Sequence, residues 1–275
     1  MTKDVRTAIL ERLRSLPDSP PFRDDHPSYT QTPSQNLLTG LPEEILDDFA
    51  AGDGGELEGD PPKFCAAHSS SALAANAFGA FRLHPERLTL AGLSGFTETR
   101  FEKKLPTGLG GIPPHLDFFA SGPEGTVAVE SKFLEILSRQ TAEFKPPYSG
   151  AIERLAEPSW TEVYRSLVRD PSRFTHLNAA QLVKHYLGMR HSLGEHSRPQ
   201  VMVYVYWEPT NVEAVSEFST HRAELEEFAA EVAGSEVRFV GVSYAELWGE
   251  WEEANMWPGV GEHVVALRGR YGLSV

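Results

Sequence analysis

The stretch HLDFFASGPEGTVAVESKF at residues 115–133 constrains the fold of this chain more than any other segment. Two short apolar runs flank a Gly-Pro-Glu-Gly turn, a pattern typical of a β-hairpin. Three charged residues, Asp117, Glu130 and Lys132, interrupt these runs near their outer ends. Charge is costly in a hairpin that packs into a core, because a buried charge needs a partner or a metal ion. The hairpin therefore predicts a sheet and, at one end of it, a candidate site.

Patterns on either side of the hairpin predict helices packed on a sheet. Apolar runs predict further strands or strand-like segments at 88–96, 97–105, 199–209 and 236–244. Helical periodicity predicts helices at 1–16, 69–81, 158–170, 178–193, 221–234 and 245–254, with a short one within 41–51. The helix at 221–234 is expected to end at a glycine C-cap. This order predicts an α/β fold, in which a mixed β-sheet with an antiparallel hairpin is flanked by helices.

The composition and the apolar pattern of the sequence change near residue 62. Residues 1–62 contain an amphipathic helix, a Pro-rich connector and a Gly/Asp-rich loop, which predict an acidic N-terminal helix and extended arm. Residues 63–275 have the mixture of apolar periodicity and turn residues that is typical of a folded domain. We therefore expect an arm at 1–62 and one domain at 63–275.

The formal net charge of −14 would oppose binding to a polyanion, but the charge is unevenly distributed. Residues 1–62 carry a net −8, residues 63–190 a net +3 and residues 191–275 a net −9. The hairpin lies in the net basic part. Acidic flanks would make any affinity for nucleic acid local and sensitive to salt. Charge alone neither establishes nor excludes a nucleic-acid substrate.

The single cysteine, Cys65, excludes an internal disulfide and argues against a zinc–thiolate site. No run approaches the roughly 18–20 apolar residues that a membrane span needs. The first sixteen residues form an amphipathic pattern interrupted by charge, unlike a signal peptide. A cytoplasmic protein with no membrane partner is the expectation.

Alternation along a strand places Glu130 and Lys132 on one face of the hairpin. Asp117 falls opposite residue 129 or 130, and a slip of one residue would move its side chain to the other face. With favourable register the two carboxylates would bind Mg²⁺, or Mn²⁺ as a substitute, with the backbone carbonyl of Ser131 as a third protein ligand. Lys132 would orient an attacking water or help to deprotonate it. In the alternative interpretation, Glu130 and Lys132 form an ordinary ion pair on the surface of the sheet.

Asp117, followed after twelve residues by Glu-Ser-Lys, resembles the signature of the PD-(D/E)XK nuclease superfamily, which has the restriction-endonuclease-like fold. A leucine precedes Asp117 and the two prolines lie further upstream, so the proline of the nominal motif is displaced. The longer run RFEKKLPTGLGGIPPHLDFF is also similar to a bacterial group of restriction-endonuclease-like proteins. The resemblance covers about residues 60–250 and implies a nuclease-like domain at 63–275.

The resemblance implies a Mg²⁺-dependent nuclease that cuts DNA, expected to be an endonuclease in restriction or phage defence, leaving 5′-phosphate and 3′-hydroxyl ends. It implies a catalytic set of Asp117, Glu130 and Lys132, with Asp117, Glu130 and Ser131 as metal ligands. It adds an upstream acid, for which Glu102 is preferred to Glu98. It also implies that Gln181 or Lys184, on the helix after the motif, reaches the substrate phosphate or the lysine.

Other interpretations stay open at this stage. His115 is expected to be a solvated loop residue, and His185 and Tyr186 to be packing residues. An RNA-cleaving or repair nuclease would use the same site, and a non-catalytic interaction protein would retain only the fold. The acidic arm at 1–62 is a possible docking segment for a partner protein that supplies target specificity. A homodimer would suit cleavage of both strands of a duplex.

Overall fold

A computed structural model describes residues 2–52, 55–111, 113–194, 198–254 and 256–275. Its centre is a mixed five-stranded sheet in which the strands lie side by side in chain order. The strands are β1 (Glu98–Lys104), β2 (His115–Gly122), β3 (Gly125–Lys132), β4 (Gln200–Tyr206) and β5 (Val237–Ser243). β1, β2 and β3 are antiparallel neighbours, whereas β3, β4 and β5 run parallel. The predicted mixed sheet with an antiparallel hairpin is confirmed.

The hairpin of β2 and β3 turns through Pro123 and Glu124, with Gly122 paired to Gly125. This tight turn sets the register of every pair above it. The pairing runs as far as Phe118 opposite Val129 and ends there. Asp117 and Glu130 are the first residues beyond the paired region.

Helices cover both faces of the sheet. One face packs against α1 (Thr2–Arg14), α2 (Glu44–Ala51), α3 (Ser70–Phe78), α8 (Tyr244–Ala254) and α9 (Val260–Tyr271). The other packs mainly against α4 (Tyr148–Leu155), α5 (Pro158–Arg169), α6 (Ala179–Leu193) and α7 (Ser216–Glu231). Strand β4 is buried along its whole length, because helices cover it on both sides and strands flank it on both edges.

The segment before residue 63 packs against the body of the protein. Val5, Ile9 and Leu13 recur at helical spacing on α1. All three are buried in the hydrophobic core between the sheet and the helix group that contains α1. Nε of Arg12 donates a hydrogen bond of 2.5 Å to the carbonyl of Gly269, at the end of α9. The acidic arm is therefore in contact with the C-terminal helix.

Some predicted elements were wrong or incomplete. Residues 88–96 form no strand, and only Leu90 and Leu93 make a single bridge, because Ala91 and Gly92 have positive φ and reverse the chain. Helix α7 begins at Ser216 rather than at residue 221, and it ends at Glu231 with Val232 as its C-cap. Helices α4 and α9 were not predicted.

None of the helices in the described part of the chain combines the length and hydropathy that a membrane span requires.

Candidate active site

The candidate site lies where β2 and β3 separate. Beyond Phe118 and Val129 the ladder gives way to a contact between side chain and backbone, in which the Ser131 amide donates to Oδ2 of Asp117 at 2.6 Å. This bond holds the Asp117 carboxylate beside the end of β3. Glu130 shares the face of Ala128, which packs in the core under α6. The hairpin therefore presents its two carboxylates at one end of the sheet.

Glu130 is held from two sides. Its side chain is only 2% exposed, and it accepts a hydrogen bond from Nζ of Lys132, which is 12% exposed. Nε2 of His185, on α6, lies 2.7 Å from the other carboxylate oxygen. A buried carboxylate needs such partners, because leaving it alone in the interior would cost several kcal/mol.

Lys132 is also held by α6. Its Nζ donates to Oε1 of Gln181 at 3.0 Å. Gln181 lies in the first turn of α6, where Asn178 caps the helix by accepting from the Gln181 amide at 3.1 Å. Because residues four apart share a helix face, Gln181 reaches Lys132 while His185 reaches Glu130.

The start of α6 is anchored by Glu224 of helix α7. The Glu224 carboxylate accepts hydrogen bonds from the backbone amides of Thr175, His176 and Leu177, each at 2.7–2.8 Å. Burial alone would raise the pKa of Glu224, but these donors lower it. Helix α6 therefore approaches the site from a fixed position.

The charges at the site are tightly coupled. Burial and the neighbouring Glu130 charge raise the pKa of Asp117 well above its ordinary value. Burial also disfavours the charged form of Glu130, but Lys132 and His185 outweigh it and lower the pKa of that carboxylate to about 2. For Lys132, burial favours the neutral amine, yet Glu130 and Asp117 raise the pKa above its ordinary value. Lys132 is therefore a protonated ammonium between two acids.

Glu102 lies on β1 where the pairing with β2 is interrupted between the pairs Phe101–Phe118 and Lys103–Leu116. Its φ of 50° is in the left-handed region, which is uncommon for a residue other than glycine. Oε2 of Glu102 lies 3.2 Å from Nδ1 of His115. Burial, followed by the Glu56 and Glu130 charges, raises the pKa of Glu102 to about 7.

Two other expectations concern Glu98 and His115. Glu98 pairs with Arg100 and Lys103 at the opposite end of β1, away from the two carboxylates. The structure thus places Glu102, the preferred upstream acid, nearer the site than Glu98. The expectation of a solvated His115 was wrong, because its side chain is 13% exposed and contacts Glu102.

Ser131 faces two ways. Its backbone amide contacts Asp117, as described above, whereas its side chain lies on the opposite face of the strand. There the Ser131 hydroxyl lies 2.7 Å from the hydroxyl of buried Tyr244, on α8. Any ligand from Ser131 to a metal would come from the backbone, as predicted, and that role stays a prediction.

A comparison with known protein families identifies the family of the chain. Residues 12–272 match a family described as restriction endonuclease associating with ARP. The chain belongs to this family. The match begins within α1 and ends after α9, so it covers the arm as well as the sheet. A search of curated proteins and a search of solved structures each return no match. The predicted restriction-endonuclease-like character of the chain and its fold are confirmed.

The sequence offered two residues of α6, Gln181 and Lys184, for the same role, and the structure gives them different contacts. Gln181 contacts the lysine, whereas Lys184 points its ammonium toward the rings of Phe144 and Tyr148, 5.6 and 5.9 Å from their centroids. The expectation that His185 is only a packing residue was wrong, because its side chain contacts the Glu130 carboxylate. Its spacing of four residues from Gln181 was the available signal.

The carboxylate oxygens of the candidate site suit a hard divalent cation. Asp117 and Glu130 present neighbouring carboxylates whose mutual repulsion a cation would relieve. Within the described residues, no group of three or more His, Cys, Asp or Glu side chains is arranged to hold a metal. Mg²⁺ is commonly held by only one or two carboxylates together with water and substrate phosphate, so two are enough.

Proposed function

We propose that this protein hydrolyses phosphodiester bonds of DNA in a Mg²⁺-dependent reaction, as an endonuclease. The observation that carries the proposal is the convergence of Asp117, Glu130 and Lys132 at the open end of the hairpin, with Gln181 fixing the lysine. Membership of a restriction-endonuclease family supports the reaction class. The net basic charge of residues 63–190 supports a polyanionic substrate.

In this proposal Asp117 and Glu130 would hold the metal, with the Ser131 carbonyl as a further ligand. When bound, Mg²⁺ would supply Lewis-acid polarisation of the scissile phosphate and make water a stronger nucleophile. His185 and Lys132 fix the direction of the Glu130 carboxylate, so that little reorganisation accompanies substrate binding.

Lys132 has a role that follows from its charge. Because the neighbouring acids keep it protonated, it acts as a donor that positions the attacking water and stabilises the charge that builds on the phosphate. Gln181 holds the ammonium at the edge of the carboxylates. Glu102, whose pKa is near 7, stands beside the set as an additional acid that can exchange a proton at neutral pH.

A role in restriction or phage defence fits the proposed reaction and the family. The family description also names an association with ARP, which supports a partner that contributes to targeting. The negative charge of residues 1–62, together with their contact with α9, makes this arm our candidate for that docking.

The test is a cleavage assay with purified protein on linear and circular duplex DNA, single-stranded DNA and RNA. Each substrate is incubated with Mg²⁺, Mn²⁺ or EDTA, beside the Lys132→Ala variant. We expect metal-dependent cutting of the circle with 5′-phosphate ends, lost in the variant. Lys103→Ala, on β1 and outside the carboxylate pair, is the matched control and should cut normally.

Each other result of this assay has a definite meaning. If the protein cuts RNA in preference to DNA, its substrate is RNA and the DNA assignment is wrong. If nothing is cut, Mn²⁺ calorimetry follows, and absence of metal binding would overturn the active site. Metal binding without cleavage would point to a non-catalytic protein or to a required partner, and addition of the partner then decides between them.

A further inference from the structure

A groove of about 610 Å³ lies beside the candidate site. One wall is the loop that leads into β2, and the other is the segment that begins α4. The rings of Phe144 and Tyr148 line it, together with Pro114 and Lys184. Both aromatic side chains are half-buried, so part of each ring is accessible to a ligand.

Lys184 has no polar partner that would explain its position. Its ammonium contacts the faces of the Phe144 and Tyr148 rings, and it makes no hydrogen bond or ion pair with any residue of the described chain. Burial lowers the pKa of Lys184. Placing an ammonium there with its donors unused favours an anionic ligand that can accept from it.

The groove has a second cation and one acid. Lys145 is exposed on its rim, between the two aromatic residues in the chain. Glu143 is also exposed and raises the pKa of Lys184 through its charge, but it does not pair with it. Aromatic faces beside two lysines form the combination that binds unpaired nucleotides, because every base has a face that stacks and each phosphate carries a charge.

The groove and the candidate site both use α6, and the loop that lines the groove runs directly into β2, which carries Asp117. Lys184 lies one turn after Gln181 and next to His185 on α6. Pro114 is three residues before Asp117. An adjoining nucleotide of a strand whose scissile phosphate lies at Asp117 and Glu130 is therefore our candidate occupant of the groove.

We propose that this groove binds an unpaired nucleotide of the DNA strand being cut, with its base stacked on the ring of Tyr148, its edge against Phe144, whose ring is inclined by 60° to that of Tyr148, and its phosphate held by Lys184. The inference rests on the proposed function and specifies its substrate: DNA with a single-stranded or locally opened segment at the site. Lys145 contributes a second contact to the backbone. A nucleotide in the groove would be extruded from the duplex or already unpaired.

The test measures equilibrium binding of fluorescently labelled oligonucleotides by anisotropy in EDTA, where no cleavage occurs. The probes are a single-stranded DNA, an abasic DNA of the same length, the duplex and a single-stranded RNA. Tyr148→Ala or Phe144→Ala should weaken binding of the single-stranded DNA by about 5- to 150-fold, which corresponds to the loss of one stacked base. The same variants should bind the abasic probe as wild type does.

Conservative variants separate this role from a packing role. Tyr148→Phe keeps the ring and should retain affinity, and Lys184→Arg should retain the salt dependence that Lys184→Gln reduces. Tyr29→Ala, outside the groove, is the aromatic control and should bind normally. Thermal unfolding of each variant verifies that it is folded.

The outcomes separate this inference from the nuclease proposal, because binding is measured without metal or cutting. Equal losses on normal and abasic DNA would overturn stacking, and tighter binding of RNA than of DNA would overturn the DNA assignment. If the protein cuts DNA while the groove variants bind like wild type, the groove inference falls and the nuclease stands. If the variants lose base-dependent binding but wild type never cuts, nucleotide binding in the groove stands and its link to cleavage falls.

Discussion

Nε2 of His185 lies 2.7 Å from Oε2 of Glu130, and both side chains are almost completely buried. The histidine belongs to α6 and the glutamate to β3, so this contact fixes the helix against the strand that carries two of the three motif residues. It also occupies one side of the carboxylate while Lys132 occupies the other. The direction of Glu130 is thereby set by one partner within the motif, Lys132, and one outside it, His185.

Replacing His185 should weaken metal binding. His185→Leu removes the partner of one Glu130 oxygen, and loss of such an outer contact typically lowers metal affinity or activity about 10- to 100-fold. We expect Mn²⁺ affinity, measured by calorimetry, to fall by this factor while DNA affinity in EDTA is unchanged. His191→Leu, on the same helix and bonded to the Pro106 carbonyl, is the control. Unchanged Mn²⁺ affinity in His185→Leu would contradict a positioning role.

Gln181 should affect turnover more than metal binding. Gln181→Ala frees the Lys132 ammonium from its amide partner, and a hydrogen bond to a charged group contributes about 1.5–3 kcal/mol. We expect kcat for DNA cleavage to fall by roughly 10- to 100-fold, with Mn²⁺ affinity close to wild type. Gln181→Glu keeps an acceptor for the ammonium and should retain more activity than the alanine variant. Equal kcat in wild type and Gln181→Ala would rule out this role.

Asp117 should reduce stability while it supports function. Its carboxylate lies beside Glu130 in a partly buried position, so its charge is unfavourable when no metal is bound. Asp117→Asn removes the charge but keeps an oxygen that can accept from the Ser131 amide. We expect the metal-free variant to melt about 2–4 °C higher, the change that 1 kcal/mol produces in a domain of this size. Mn²⁺ binding should be lost, whereas a lower Tm would contradict the repulsion.

Acid should destabilise the protein through His221. This histidine is fully buried on α7 with Nε2 2.9 Å from the Tyr204 hydroxyl, and burial lowers its pKa to about 4. In the unfolded chain this histidine takes up a proton near pH 6.5. The contribution of neutral His221 to the free energy of unfolding is therefore complete above that pH and is lost as pH falls toward 4. The loss amounts to about 3 kcal/mol.

A urea-unfolding series between pH 7 and pH 4 measures this dependence. His221→Gln should show a shallower fall in unfolding free energy than wild type over this window. His26→Gln, at an exposed position, should follow the wild-type curve. A wild-type slope that persists in His221→Gln would assign the acid sensitivity to other groups.

The N-terminal arm should contribute to global stability. Ile9 of α1 is 2% exposed and packs in the same core as the sheet. Ile9→Ala should lower the unfolding free energy by about 2–5 kcal/mol, the range for truncating a buried aliphatic side chain to alanine. The control is Leu10→Ala, at a half-buried position of the same helix, which should cost less. An effect of Ile9→Ala no larger than that of Leu10→Ala would indicate that the arm docks only loosely.

The hairpin could be predicted well because its information is local. The two-residue turn and the alternation of apolar residues are enough to place Asp117, Glu130 and Lys132 at one end of the sheet. The nearly continuous apolar run at 199–209 likewise predicted a buried strand, and β4 is buried along Gln200–Tyr206. Residues 88–96 misled because their apolar spacing resembles a strand, whereas Ala91 and Gly92 turn the chain.

Contacts between distant segments could not be predicted in this way. The sequence offered Gln181 or Lys184 as the helix residue that reaches the site, and only the docking of α6 directs the first to Lys132 and the second into an aromatic groove. The same docking makes His185 a partner of Glu130.

The amino-acid pattern of residues 115–133 is therefore sufficient for the hairpin and for the three charges of the motif, because a tight turn brings the two strands together. The sequence left the register open by one residue, and the structure decides it by pairing Gly122 with Gly125. Tertiary structure decided which side chains surround those charges and how ionised each one is. Helix orientation, burial and charge coupling depend on packing between segments far apart in the chain. Such packing is set by the whole core.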